Sequence, residues 1–506
     1  MITLDGKSLS IDDVARMARH RETIALESAA IERIDHCRAL LERKIAAGEI
    51  MYGVNTGIGE LATVKLTREQ AAEFQRYLLY SHAAGCGEAC DEEDIRAGIL
   101  SRLNTHCWGH SGIRYEIVRT YVDMMNKGVT PVVFKKGSVG ACGDLSPMAQ
   151  AAITLMGEGE VFFQNKRLPA KEGMAAAGIP VVEFRERDGL AAINGSDLIT
   201  GMGCLQIYDA ERWIKTQDVA LAMTLESLNS NMNAYDDRLH QLRGYPGAIE
   251  TAANIRRITA GSKLLDQPGK KVQDAYSLRS CPQVVGGARD SGKFSRNMLE
   301  IELNHVADNP NFFPDEDLVV SGANFQGTPM AFALEALGTA MTTVGALSER
   351  RVNRLVNPNL SEGLPPFLTK GAGMFSGLMV SQYTACSLVA ENRVLCHPAC
   401  TGSIPAAADQ EDFVSMGMTT AIKTKQIIEN SWHILAIELM CAAQALDFRA
   451  PVKPAAATQA ALGVIRKYVA HMDKDRPMYD DINTLGRVAK SGEILDAVEA
   501  VCDKLN

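Results

Sequence analysis

Apolar residues recur at three- and four-residue intervals along most of this chain, and at alternate positions only briefly. Residues 11–47 read as two helices with polar outer faces, interrupted near Arg21-Glu22-Thr23. A helix over residues 67–79 opens on Thr67-Arg68-Glu69-Gln70. There the threonine can cap the first turn while the glutamine reaches back to it. From Ser196 to about Leu242 the helical stripe runs with hardly a breaker. It returns over residues 328–356, 376–395 and 414–445, segments apolar on more than one side and rich in Ala, Met and Leu. Helices of that kind pack against other helices, in a bundle or across subunits. Strand patterning is confined to residues 161–163 and 181–184, which predicts a small β element within 158–186, with Gly157 and Gly159 as turn residues. The class is mainly α: a globular N-terminal part over 1–200 holding the β element, then a long-helix bundle over 201–506 forming an oligomer core.

Length permits a large buried core. A net charge of −9 with no basic run argues against nucleic acid as the main partner. No apolar stretch is read as long enough to span a bilayer, and the first residues lack a signal-peptide pattern, so the expected location is cytoplasmic, away from membranes. The twelve cysteines are too dilute for a disulfide scaffold. Cys86/Cys90 and Cys396/Cys400 have three-residue gaps rather than the two-residue gap usual at zinc sites, so no metal is expected.

The most informative stretch is 137–150, GSVGACGDLSPMAQ, where Ala141-Cys142-Gly143 sits among glycines ahead of Asp144. It resembles the Ala-Ser-Gly tripeptide of the aromatic amino acid ammonia-lyases and aminomutases, which becomes methylidene-imidazolone (MIO). That resemblance implies that the Gly143 nitrogen attacks the Ala141 carbonyl carbon and water is lost. Residue 142 then sheds its β-substituent, leaving an electrophilic methylene and no need for a metal or diffusible cofactor. Cysteine replaces the family's serine here; loss of hydrogen sulfide gives the same product as loss of water.

Further blocks follow in the family's order. Tyr52-Gly53-Val54-Asn55-Thr56-Gly57 resembles its YGVNTG segment and implies Tyr52 as the β-proton base. A phenol ionises near pH 10, so that role calls for a lowered pKa, as an electropositive cleft would give. Ala192-Ile193-Asn194-Gly195-Ser196 implies Asn194 as a donor to the cofactor's ring oxygen, and Asn324-Phe325-Gln326-Gly327 places Phe325 beside the cofactor. Gln273-Asp274-Ala275-Tyr276-Ser277-Leu278-Arg279 resembles the QDxYSLR segment. By that likeness Arg279 holds the substrate carboxylate, Gln273 also contacts substrate, and Tyr276 is catalytic beside the cofactor. Asn304 and Asp308-Asn309-Pro310 match a block read as structural.

Tyr80-Ser81-His82 and Gln410-Glu411-Asp412-Phe413-Val414-Ser415-Met416-Gly417 resemble the specificity blocks of the histidine-directed lyases. His82 and Glu411 would face an imidazole, since a carboxylate accepts its ring N–H and favours its charged form. The implied reaction takes L-histidine to trans-urocanate and ammonia in a homotetramer whose sites combine residues of three subunits. Phe413 stands where histidine is usual, Gln326-Gly327-Thr328 is more like phenylalanine lyases, and Gln150 replaces a frequent histidine. These departures keep open a phenylalanine or tyrosine lyase, a 2,3-aminomutase, or an uncyclised and inactive paralogue.

Overall fold

In the computed structural model, which describes residues 1–269 and 272–506, the chain forms two compact units. The first comprises Met1–Tyr208, Ser295–Glu335 and Pro398–Ile422; the second comprises Asp209–Phe294, Ala336–His397 and Lys423–Asn506. Nineteen α-helices and short strand pairs among the described residues make the fold mainly α.

In the first unit, the opening helix Ile11–His20 starts on a capping box between Ser10 and Asp13 and stops where Arg21 turns left-handed. The interruption expected at 21–23 is real, but it feeds a three-residue strand, Ile24–Leu26, paired in parallel with Ile2–Leu4. The second helix, Ser28–Ala46, buries Cys37, Leu40 and Leu41 against Met51, Val54 and Phe312, so the loop carrying Tyr52 rests on a closed apolar floor. Thr67 and Gln70 form the expected capping box of Arg68–His82. From that helix the buried Gln75 donates to the Gly53 carbonyl and accepts from the N–H groups of Gly189 and Leu190, pinning the same loop from above.

The three-stranded antiparallel sheet runs Thr130–Pro131, Glu160–Phe163, Lys166–Pro169. Its hairpin turns through Gln164 and Asn165, both left-handed, the backbone of a primed two-residue turn. Residues 181–184 are not a strand. Val182 and Phe184 are buried in alternation with exposed neighbours, but the only ladder-like contact is Val182 N–H to the Leu155 carbonyl, 2.9 Å. Alternation there marks a segment lying on the core without a partner to pair with.

Helix Glu92–His106 is buried on nearly every side and carries Arg102 into an ion cluster. Arg102 reaches Asp197 at 2.9 Å and Asp308 at 3.2 Å; Arg187 meets the other Asp308 oxygen at 2.8 Å and donates to the Asn309 carbonyl at 3.0 Å. Four charges of alternating sign, all fully buried, satisfy one another where none could stand alone. Close by, His106 is fully buried with neither ring nitrogen hydrogen-bonded.

The second unit is built from long helices. A bidentate pair lies fully buried within it: Arg351 meets the two Glu438 oxygens at 2.5 and 2.7 Å, and Thr224 and Ser348 donate to the same carboxylate. Helix Thr328–Val356, which contributes residues to both units, corrects the expectation about membrane-spanning length. It is long and apolar enough to cross a bilayer by length and composition, yet 67% of its most apolar window is buried inside the protein.

Candidate active site

Two left-handed glycines bracket the central tripeptide: Gly140 at φ 79° and Gly143 at φ 70°. Each is also pressed against its neighbours. A Cβ on Gly143 would lie 2.0 Å from the Gly195 carbonyl oxygen, and one on Gly140 would lie 2.1 Å from Ser415 Oγ. Backbone hydrogen bonds close the clasp from both sides. Gly195 N–H donates to the Cys142 carbonyl (3.2 Å), Asp144 N–H to the Gly195 carbonyl (2.8 Å), and Met416 N–H to the Val139 carbonyl (2.9 Å). The tripeptide is thus folded tightly and fixed at both ends, leaving the Cys142 side chain as its outward-facing group.

That side chain borders a cavity of about 650 Å³ lined by, among others, Ile58, Leu61, Ser81, His82, Leu145 and Glu411. Cys142 Sγ–H donates to Glu411 Oε1 at 3.3 Å. Burial, and then the Glu411 charge, push the thiol well above its ordinary pKa, so it is held protonated. Glu411 sits on a tight loop closed by reciprocal backbone bonds with Ala406, with Ala407, Ala408 and Asp409 all left-handed between them. His82 ends its helix with Nδ1 2.8 Å from the Leu78 carbonyl. A carbonyl only accepts, so Nδ1 carries a hydrogen and Nε2 is the ring nitrogen left free to meet a ligand.

Tyr52 accepts a hydrogen bond from Gly59 N–H at 3.0 Å. Its pKa is raised, contrary to the lowering expected for a base: burial is the largest cause, and Cys142 and Glu411 add to it. The Arg187 charge and the Gly59 N–H pull the other way without offsetting these, and neither lysine nor arginine lines the cavity among the described residues.

Asn194 lies behind the tripeptide, fully buried; its Nδ2 donates to the Asn309 carbonyl at 3.0 Å and its Oδ1 has no partner. Phe325 occupies the turn before helix Thr328–Val356 and does not line the cavity. The following Gly327 packs against Ser196 and Ser415, so that segment abuts the clasp. Gln273, Tyr276 and Arg279 belong to the second unit, around their own cavity of about 590 Å³ with Asn231, Arg243 and Asp274. Tyr276 is 72% exposed, and the Arg279 guanidinium lies 4.6 Å from its ring centre, with Nε buried and unpartnered.

Four residues outside the expected set matter here. Asp144 is fully buried, accepts from Ile199 N–H at 2.9 Å, and is pushed up to about 7 by burial, with its other oxygen unpartnered. Its place directly after the tripeptide was the available signal. Ser415 lies in the quoted specificity block, but no spacing rule announces a contact with Gly140. Ile58 and Leu61 form an apolar rim from a loop without helical or strand periodicity. Two of the departures find a place as well. Gln150 is structural, accepting from Phe134 N–H at 2.8 Å, and Phe413 is 60% exposed, away from the cavity lining.

The family model for aromatic amino acid lyase matches residues 9–467. A histidine ammonia-lyase of Myxococcus xanthus is 44% identical over 501 residues, covering 99% of this chain and 98% of its own. That of Caldanaerobacter subterraneus subsp. tengcongensis is 42% identical, with 98% of each covered. Among solved structures, a tyrosine aminomutase from Streptomyces globisporus superposes with a TM-score of 0.95 at 36% identity over the full length of both chains. With a family model spanning most of its length and relatives of this identity aligned end to end, the chain belongs to the aromatic amino acid lyase family.

Proposed function

We propose that this protein is a carbon–nitrogen lyase that eliminates ammonia from L-histidine to give trans-urocanate. The observation that carries the reading is the placement of Cys142 and Glu411 in one cavity, with sulfur and carboxylate 3.3 Å apart. It sets a carboxylate, suited to an imidazole N–H, beside the residue from which the family's electrophile is made.

The residues fit an MIO group formed from Ala141, Cys142 and Gly143. The tripeptide is bent through left-handed glycines and clasped at both ends, against backbone that leaves no room for a Cβ on Gly143. MIO supplies an electrophilic methylene that engages the substrate amine and makes it a better leaving group. His82 Nε2 and Glu411 hold the imidazole, and the apolar rim of Ile58 and Leu61 limits water. Tyr52 takes the β-proton. Because its pKa starts high, it needs positive charge brought to it, and the substrate ammonium together with Arg279 is the source we assign. Arg279, with Gln273 and Tyr276, would bind the carboxylate from a partner subunit of a homotetramer, the second unit's long helices forming the oligomer core. An arginine suits that role because its planar fork pairs with both carboxylate oxygens.

The experiment is direct: purified protein is given L-histidine, L-tyrosine and L-phenylalanine in turn, and urocanate, cinnamates and β-amino acids are followed. Urocanate from histidine at a kcat/KM above the other two by at least about tenfold supports the reading; turnover of tyrosine or phenylalanine alone overturns it. A tyrosine 2,3-aminomutase is the second reading, favoured by the fold match to the Streptomyces enzyme. It predicts β-tyrosine as the product.

A further inference from the structure

Before any substrate binds, the tripeptide itself must react, and the cysteine at its centre alters that chemistry. The following rests on the MIO reading above. Ring closure forms the Gly143 N–Ala141 C bond and expels the Ala141 oxygen as water. What then has to leave is the Cys142 side-chain sulfur, together with the proton on Cys142 Cα. The leaving atom is already in contact with one ionisable group, Glu411, at 3.3 Å. The tyrosine hydroxyl is engaged elsewhere by Gly59 N–H, and His82 Nδ1 is held by Leu78.

We infer that Glu411 is the proton carrier of this maturation step, a role separate from holding the substrate. Its carboxylate takes the Cys142 Cα proton; the C–H electrons become the Cα=Cβ bond; the Cβ–Sγ bond breaks and its electrons leave with sulfur as hydrosulfide. The carboxylic acid so formed returns its proton to hydrosulfide, releasing hydrogen sulfide and restoring the carboxylate. Hydrogen sulfide is a weaker acid than a carboxylic acid, so that last transfer runs downhill. One group therefore serves first as base and then as acid, and nothing is consumed.

Two observations support the assignment beyond the contact itself. The thiol is held in its protonated form, so the departing species is hydrosulfide, rather than the doubly charged sulfide that would leave from a thiolate. The Glu411 loop is also tightly constrained, by the paired bonds to Ala406 and the three left-handed residues between, so the carboxylate is fixed against the sulfur. Sulfur and carboxylate both face a cavity of about 650 Å³, room enough for the small product to depart.

The test follows maturation instead of turnover. Full-length wild-type, Glu411→Gln and Glu411→Asp chains are made by cell-free synthesis, and intact mass and released sulfide are recorded with time. Wild type should lose one water and one hydrogen sulfide per chain, with sulfide appearing in equal amount. Glu411→Gln should mature about a hundredfold or more slowly, the usual scale for removing a positioned proton-transfer group, and Glu411→Asp should recover part of the rate. Thermal melts confirm that each variant is folded; if Glu411→Gln does not fold, Glu411→Asp decides alone, a wild-type rate counting against the inference. Processing of a folded variant at the wild-type rate overturns the role of Glu411 and leaves the lyase reading intact. A wild-type chain that keeps its full mass defeats the MIO reading itself, and this inference with it.

Discussion

The two cavities bearing expected site residues are similar in size and opposite in charge. Around Cys142 the wall is backbone, small side chains and an apolar rim, with Glu411 as the charge beside the sulfur. Around Tyr276 the wall includes two arginines, Arg243 and Arg279, and one acid, Asp274. The first suits building an electrophile and meeting a ring N–H; the second suits binding an anion. Neither has the other's chemistry. The acidic side of that contrast adds to the raised pKa of Tyr52, which burial raises first and the Cys142 and Glu411 charges raise further, against a smaller lowering by Arg187.

The sharpest way to break this contrast is Tyr52→Phe. If the phenol is the base, its loss should cost about 10²–10⁴-fold in kcat with the tripeptide's mass loss unchanged. Activity retained within a few-fold would remove Tyr52 from the reaction and leave its raised pKa as a simple consequence of burial.

The buried ions test how each region is held together. Glu438→Gln leaves Arg351 inside the second unit without its bidentate partner, and Asp308→Asn strips Arg102 and Arg187 of a shared one. Each should cost about 3–5 kcal/mol by denaturant unfolding. The Asp308 change should also reduce kcat, because the same cluster positions Asn309, whose carbonyl holds Asn194 behind the tripeptide. Equal effects on kcat from both would show that the cluster is structural only.

For the anion-binding side, Arg279→Lys keeps the charge and loses the fork. A charge-assisted hydrogen bond is worth about 1.5–3 kcal/mol, so kcat/KM should fall about tenfold to a hundredfold. That loss should appear mainly in KM, as measured by initial rates. No change in KM would assign the buried, unpartnered Nε of Arg279 to something other than substrate carboxylate.

Much of this was legible in the sequence because it is local. The capping box at Thr67 and Gln70 depends on two side chains three residues apart, and the long helices on stripes that repeat within their own length. The glycines around Ala141-Cys142 announced a backbone with positive φ, and Gly137, Gly140 and Gly143 all have it. Non-local features were less readable. The strand pair Ile2–Leu4 with Ile24–Leu26 has only three residues on each side, too few for a period to show. The segment 181–184 alternates without a partner, which only the fold reveals. The direction of the Tyr52 shift depends on which charges surround it in space, and Glu411 is more than 350 residues away in sequence.

The smallest effect expected lies in His106, buried in the first unit away from the cavity lining. Burial holds its pKa well below the ordinary value near 6.5, and the charges on Arg102 and Arg187 add to that. In the unfolded chain the imidazole gains a proton as pH falls through about 6.5, whereas in the native protein it stays neutral until well below. The unfolded state therefore binds more protons over that window. Stability is fully present above about pH 6.5 and declines on acidification by up to about 1.4 kcal/mol per pH unit. His106→Leu removes the proton uptake and should flatten this limb. Urea unfolding of wild type and variant at pH 7.5, 6.5 and 5.5 reads it out: the difference in stability should move in the variant's favour as pH drops. Parallel curves would mean that the native imidazole does take a proton, and that a buried partner for its unbonded nitrogens exists after all.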